Sequence, residues 1–156
     1  MIDDTAAALL GSTASLIVGG VGPDNTPSAL RAWGATLSDD RATLRLLLTA
    51  GDRALADLAP GRRIAVTATH FTTLRSVQVK GRTLSIEDAT AQDRIRFDCY
   101  AGEVVPRIAE LDDMPEEVVV RFLPHDVVAC TLVVEAVFDQ TPGPDAGAQL
   151  APVVSS

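Results

Sequence analysis

The chain of 156 residues has few aromatic side chains, 4% of the total, and only two cysteines, Cys99 and Cys130. With so few aromatic rings, a core has to be built mainly from Val, Leu, Ile and Ala, which favours an aliphatic barrel or sandwich. Two cysteines far apart in the sequence form no disulfide framework, so both are expected to be buried free thiols. A small disulfide-stapled domain is therefore excluded.

The short motifs of several common enzyme classes are also missing. The sequence contains no HExxH, no GxSxG, no GxxxxGK[ST], no cysteine pair at metal-ligand spacing and no GxGxxG opening a helix. Zinc, hydrolase and P-loop chemistry therefore have no support, and no metal site is predicted. His70 and His125 lie near predicted strand edges, where a lone histidine is more often a hydrogen-bonded surface residue than a catalytic one. We predict no catalytic side chain.

Positive charge is scarce. The formal net charge is -8, and Lys80 is the single lysine beside twelve arginines, with no basic run longer than Arg62-Arg63. Such a chain repels phosphate backbones and anionic membrane surfaces. The first residues are acidic, and no apolar run approaches the roughly 20 residues needed to span a bilayer. We therefore expect a soluble cytoplasmic protein without a nucleic-acid or membrane partner.

The length fits one domain with a real core, which we predict to span residues 1–140. Apolar periodicity and turn signals predict a first helix over residues 2–10 and a short helix over Arg53–Leu58. A helical lobe is expected at about residues 89–123, divided by Gly102 and Pro106. Residues 141–156 read as a Pro/Gly-rich C-terminal tail, as loop or disordered chain.

Six segments read as strands because they are apolar or alternate with a period of two. Short turns join most of them, and there is no regular alternation of strand and helix, so a doubly wound sheet is not expected. The predicted fold is mainly β with added helices, a six-stranded antiparallel split β-barrel. The predicted strands are Ala14–Val21, Ser28–Leu37, Thr43–Ala50, Arg63–Thr69, Arg75–Ile86 and Asp126–Phe138.

Two of these segments carry polar residues in patterns typical of ligand sites. The third strand, with Thr49 near its end, runs into a helix that opens with Asp52 and Arg53, and the free N–H groups of a helix start attract anions. In the fifth strand, a period of two places Ser76, Gln78 and Lys80 on one face, where they could hydrogen-bond a planar polar ligand. The alternative, a solvated face of an edge strand, stays open.

The order of these motifs resembles the flavin-binding split barrel of the pyridoxamine 5′-phosphate oxidase-like proteins. The resemblance covers roughly Ser15 to Asp88, about half of the chain, and the stretch VFDQTPGP at residues 137–144 is also similar to members of this family. The order of several weak motifs is more specific than any one of them. The segments that carry it are LRAWGA at residues 30–35, LTAGDRA at 48–54 and TTLRSVQVKG at 72–81.

This resemblance implies a homodimer that binds FMN at the subunit interface. It assigns the flavin phosphate to Arg31 and to the residues that open the short helix, Asp52, Arg53 and Ala54. The family commonly has Ser and Lys around this arginine, so Asp52 and Ala54 are departures. The resemblance places the isoalloxazine ring or ribityl chain against Arg75, Ser76 and Gln78, with Thr49 nearby, and we add Lys80 from the same strand face.

The predicted function is that of an FMN-dependent oxidoreductase acting on a small molecule. The isoalloxazine carries the redox chemistry, so no side chain has to act as an acid or base. Vitamin B6 oxidation is not the predicted reaction, because the C-terminal part lacks the basic and aromatic substrate residues of the true oxidase. Two alternatives stay open: a non-enzymatic binder of a flavin or similar ligand, and a dimeric barrel without a cofactor.

Overall fold

The computed structural model describes residues 2–151 and shows a closed six-stranded antiparallel β-barrel with added helices, as predicted. The strands follow one another around the barrel in the order β3-β2-β1-β4-β5-β6, and β6 closes it by pairing with β3. The strands are β1 (Ser15–Val21), β2 (Pro27–Leu37), β3 (Thr43–Thr49), β4 (Arg63–Thr69), β5 (Ser76–Asp88), β6 (Val127–Asp139) and a short β7 (Gln149–Ala151).

The helices lie at the two ends of the barrel and on one side of it. A short helix, α1 (Asp4–Gly11), precedes the barrel, and a 3-10 helix connects β3 to β4. Two α-helices and a second 3-10 helix separate β5 from β6. They are α1 (Asp4–Gly11), the 3-10 helix Arg53–Leu58, α2 (Ala91–Leu111), α3 (Glu116–Val119) and the 3-10 helix Val120–Phe122.

The barrel interior is aliphatic, as the composition predicts. Alternate residues of each strand point inward, so Leu16 and Val18 of β1 have no exposed surface, whereas Ile17 between them is 41% exposed. The same period of two buries Val66 of β4 and Val79 of β5 completely. Burying a side chain of this size stabilises the fold by about 1.5–3 kcal/mol, so this interior is the main source of stability.

Each end of the barrel is covered by a helix. At one end, α1 and the residues before it contribute three buried side chains to the core, which are Ile2, Ala6 and Leu10. At the other end, Leu58 of the 3-10 helix is fully buried. A Cβ at Gly20 would lie 2.7 Å from the Leu58 side chain and 3.2 Å from the Asp57 backbone oxygen, so a larger residue there would have to displace the buried leucine.

Helix α2 runs unbroken through Gly102 and Pro106, so the predicted division of the lobe is wrong. A proline inside a helix loses one hydrogen bond and costs roughly 3 kcal/mol. Tyr100, Val104 and Val105 are all buried, and together they return more than this cost. Tertiary packing therefore outweighs the local signals.

Helix α2 covers only part of the barrel's outer face. Leu47 points away from the interior and packs with Val127 and Ala129 in a separate buried cluster, against which Phe97 of α2 also packs. We call this region the covered half. The open half is formed by the outward-facing residues of β1, β4, β5 and the first part of β2.

Three further observations differ from the sequence predictions or limit them. Cys99 is exposed, and only Cys130 is buried, although both are free thiols. Strand β7 was not predicted, and it pairs with the end of β6. The last residues of the predicted tail, 152–156, lie outside the described residues.

No helix within residues 2–151 is long and apolar enough to cross a membrane.

Candidate functional site

One row of residues runs across the open half and onto β6, and three of its five members, Arg31, Thr67 and Gln78, are polar. The strand register aligns Arg31 of β2 with Ile17 of β1, Thr67 of β4, Gln78 of β5 and Phe138 of β6. Since neighbouring strands are about 4.8 Å apart, Arg31 and Gln78 are roughly 14 Å from each other. An elongated ligand or a partner surface can therefore contact both.

A shallow groove of about 460 Å³ lies beside this row. Gly19, Ala65 and Ala136 line it next to Lys80, and such small side chains leave room for another molecule. The Ser28 hydroxyl also belongs to this lining, and its oxygen is buried without a hydrogen-bond partner among the described residues.

Gln78 and Lys80 make specific contacts on this face. The Gln78 amide donates a hydrogen bond of 3.0 Å to the Thr67 hydroxyl. The Lys80 ammonium lies 4.6 Å from the centre of the Phe138 ring, a cation–π contact. Both side chains are thus oriented by neighbouring strands rather than extended freely into solvent.

Arg31 has a donor without an acceptor. Its Nη1 is buried and has no hydrogen-bond partner among residues 2–151, while its guanidinium carbon lies 5.7 Å from the centre of the Trp33 ring. The Tyr100 hydroxyl donates to the backbone oxygen of Ala14 at 2.6 Å. Burial raises the pKa of Tyr100 to about 12, while the charge of the nearby Arg31 and a hydrogen-bonding contact from its side chain oppose this rise. A buried donor left unpaired costs about 1–3 kcal/mol, so an external acceptor would stabilise this arrangement.

Thr49, Asp52 and Arg53 lie close together where β3 leads into the 3-10 helix. The Thr49 hydroxyl accepts a hydrogen bond of 3.2 Å from Trp33 Nε1, which links it to the Arg31 region. Asp52 is the N-cap of the 3-10 helix, and its carboxylate accepts from the Ala54 amide at 2.8 Å. The Asp52 carboxylate is therefore already hydrogen-bonded to one of the N–H groups that the sequence predicted to bind an anion.

Arg75 and Ser76 lie at the other end of the barrel, beneath α1. Ser76 is only 8% exposed, and its hydroxyl is 2.9 Å from that of Thr69 and donates to the Leu74 carbonyl at 3.0 Å. Both Arg75 and Ser76 line a cavity next to α1 rather than the groove beside Lys80. The eight predicted site residues thus fall into three places, which are the start of the 3-10 helix with Arg31, the open face of β5, and this cavity.

Four residues that complete these surroundings were not predicted from the sequence. Trp33 follows Arg31 by two positions, so the period of two could have identified it. Thr67 also follows that period on β4. Tyr100 and Phe138 are brought in from distant segments, and nothing in the local pattern indicates their partners.

Comparison with solved structures identifies the fold. HupZ from Group A Streptococcus gives a TM-score of 0.60 at 16% identity, covering 94% of this chain and 100% of that one. A putative pyridoxamine 5′-phosphate oxidase from Lactobacillus delbrueckii gives 0.55 at 15%, covering 87% and 92%. The heme storage protein HutZ from Vibrio cholerae gives 0.52 at 11%, covering 88% and 94%.

No protein-family model matches this sequence, and a search of curated proteins finds no match. The structural likeness confirms the fold predicted from the sequence resemblance. The chain has the split-barrel fold of the pyridoxamine 5′-phosphate oxidase-like proteins.

Proposed function

We propose that the open half of the barrel binds FMN between two copies of this chain, and that the protein is a flavin-dependent oxidoreductase acting on a small molecule. The observation that carries this proposal is Arg31, whose buried Nη1 has no acceptor among the described residues. A phosphate oxygen is the acceptor that a guanidinium binds best, because both groups are charged.

The Arg31 guanidinium suits an FMN phosphate, whereas the N–H groups that open the 3-10 helix do not. There, Asp52 already accepts from the Ala54 amide, and it adds a negative charge. A carboxylate about 4 Å from a phosphate costs on the order of 4 kcal/mol at an effective dielectric near 20, while a helix start returns roughly 0.3–1 kcal/mol. We therefore assign the phosphate to Arg31, with Arg53 and Thr49 as its neighbours.

The open face of β5 supplies the contacts for the rest of the flavin. Gln78 offers an amide that already hydrogen-bonds Thr67, and Lys80 offers a positive charge above Phe138. When bound, the isoalloxazine supplies the redox chemistry. The protein's part is to orient the ring and to exclude water from it. Arg75 and Ser76 face a different cavity, so we do not retain them as ring contacts.

A second copy of the chain would complete the site. Ile17 and Val21 of β1 are 41% and 43% exposed on the open half, beside the groove lined by glycine and alanine. An exposed surface of small and aliphatic side chains is typical of an interface between chains. The cytoplasm is the location we expect for such a dimer.

Calorimetric titration of the flavin-free protein with FMN tests the proposal. Arg31→Gln should weaken FMN binding about 10- to 100-fold, because a hydrogen bond to a charged group is worth about 1.5–3 kcal/mol. Arg121→Gln, an exposed arginine of the helical lobe, is the matched control and should leave binding unchanged. Unchanged binding in Arg31→Gln would refute the phosphate assignment.

Asp52→Ser tests the reading of the 3-10 helix in the same titration. Serine caps a helix about as well as aspartate, so the melting temperature should stay the same. Removing the carboxylate should tighten FMN, and Arg53→Ala should loosen it. If Asp52→Ser leaves the dissociation constant unchanged or raises it, Asp52 lies too far from the phosphate to affect it.

The two alternatives from the sequence analysis differ in what the purified protein contains. The Asp52 cap is the observation that favours a barrel with another ligand or none, because its carboxylate already accepts from the Ala54 amide and adds a negative charge there. A visible absorption spectrum separates a barrel that holds flavin, enzymatic or not, from a barrel that holds heme or no cofactor, because flavin and heme absorb differently and a barrel without a cofactor does not absorb visible light.

A further inference from the structure

A cavity of about 600 Å³ lies at the barrel end that α1 covers. Its walls are α1, the turn between β4 and β5, and the segment that joins β6 to β7. Leu9, Val77 and Leu150 give it apolar surface, and its volume suits a small organic molecule. Neither Arg31 nor Lys80 belongs to its lining, so this cavity is distinct from the proposed flavin site.

Opposite charges face this cavity without pairing. Hydrogen bonds from Thr141, one of them 2.7 Å from the backbone amide, hold the pKa of Asp139 below its ordinary value, and the Arg75 charge adds to this effect. Nevertheless, Arg75 forms no ion pair with any residue in the described part of the chain. A guanidinium and a carboxylate that line the same cavity without pairing are complementary to a ligand with both charges.

Two further groups of the lining have a defined hydrogen-bonding role. Nδ1 of His70 accepts from the amides of Thr72 and Thr73 at 3.3 and 3.2 Å, so the neutral ring carries its proton on Nε2 and donates there. One oxygen of Asp3 accepts from the Ala6 amide at 2.7 Å. Its other oxygen has no partner within residues 2–151 and remains an acceptor.

The charges of the lining decide between ligand classes. Asp4 is paired with Arg41 at 2.6 Å, so the remaining charges of the lining are the carboxylates of Asp3 and Asp139 and the guanidinium of Arg75. A simple anion would meet two carboxylates, whereas a simple cation would leave Arg75 unpaired. A zwitterion satisfies both kinds of group.

We propose that this cavity binds a free amino acid with an apolar side chain. Its carboxylate accepts hydrogen bonds from Arg75 and from Nε2–H of His70, and its ammonium group donates to Asp3 and Asp139. The apolar side chain packs against the aliphatic part of the lining. The site stands independently of the flavin proposal.

Calorimetric titration with three matched probes tests this inference: L-phenylalanine carries both charges, phenethylamine only the ammonium, and 3-phenylpropionate only the carboxylate. We expect phenylalanine to bind at least about tenfold more tightly than either of the others. Arg75→Gln should weaken phenylalanine and phenylpropionate by about tenfold and leave phenethylamine unchanged. Asp139→Asn should weaken phenylalanine and phenethylamine and leave phenylpropionate unchanged.

Arg62→Gln and Arg31→Gln are the controls, and both should leave all three affinities unchanged. The second of these separates the cavity from the flavin site, because it should reduce FMN binding only. If phenylalanine fails to bind, or binds no better than phenethylamine or phenylpropionate, the inference is wrong. If Arg75→Gln strongly lowers the melting temperature, the affinities of Asp139→Asn alone test the inference.

Discussion

The covered and open halves of the barrel's outer face both carry outward-facing aliphatic side chains, but these side chains are buried only in the covered half. In the covered half, α2 packs over outward-facing side chains, so Leu47 and Ala129 are 1% and 0% exposed. In the open half, Ile17 and Val21 keep about two fifths of their surface exposed. An outward aliphatic residue is therefore part of the core only where another element lies over it. The open half is where a ligand or a second chain can add that cover.

The largest expected effect comes from removing matched aliphatic side chains from the two halves. Leu47→Ala should lower the free energy of unfolding by about 2–5 kcal/mol, because it leaves a cavity under α2. Ile17→Ala should change it by less than about 1 kcal/mol when measured on dilute, flavin-free protein. Urea denaturation followed by circular dichroism measures both. Equal losses would show that the open half is already covered in the isolated chain.

A second prediction concerns the ion pair that attaches α2 to the covered half. Asp93 is 6% exposed, accepts from Arg45 Nη2 and Nε at 2.6 and 2.9 Å, and also caps α2 with Thr90. The hydrogen bonds from Arg45 hold the pKa of Asp93 well below its ordinary value. Asp93→Asn should lower the free energy of unfolding by roughly 1–3 kcal/mol at neutral pH.

The pH dependence follows from the direction of this shift. A carboxyl whose pKa is lower in the folded state adds stability above its unfolded pKa of about 3.9, and this stability is lost as the pH falls below that value. The wild-type protein should therefore lose more stability than Asp93→Asn between about pH 4 and pH 2. Asp126→Asn is the control, because it removes only an exposed ion pair with Arg94 of α2. It should have a much smaller effect on stability. If the wild type and Asp93→Asn lose the same amount of stability over this pH range, the Arg45–Asp93 pair is not a source of the acid sensitivity.

The smallest effect is expected at Lys80 in the open half. A cation–π contact at an exposed site is worth about 0.5–1 kcal/mol, so Lys80→Ala should hardly change the melting temperature of the flavin-free protein. It should weaken FMN binding several-fold, while Lys80→Arg, which keeps the charge, should retain most of the affinity. A large loss of stability with unchanged FMN binding would instead make Lys80 a structural residue.

The sequence predicted the strands well because burial alternates along them. Arg63–Thr69 was predicted with the observed bounds, since Ile64, Val66 and Ala68 point inward at a strict period of two. Helix α2 was predicted less well, because the local signals of Gly102 and Pro106 give no information about the surface that the helix packs on. Strand β7 is only three residues long and depends on the edge of β6.

The candidate site was predictable only in part for a related reason. The period of two predicted that Ser76, Gln78 and Lys80 share one face of β5, but it could not show which neighbours each would meet. Ser76 is buried and lines the cavity next to α1, whereas Lys80 faces an open groove. The unpaired donor of Arg31 depends on an enclosure that distant segments form, and such enclosure leaves no local pattern in the sequence.

The most direct test of the central claim joins assembly to cofactor binding in one measurement. Light scattering of the purified protein at micromolar concentration, with the visible absorption recorded on the same peak, should give twice the chain mass of 16.4 kDa and one flavin per chain. Ile17→Glu should yield a folded monomer without bound flavin, because a charge in the open half prevents a second copy from covering it. A monomeric wild type, or an Ile17→Glu monomer that still holds its flavin, would contradict the proposal that two open halves form the site.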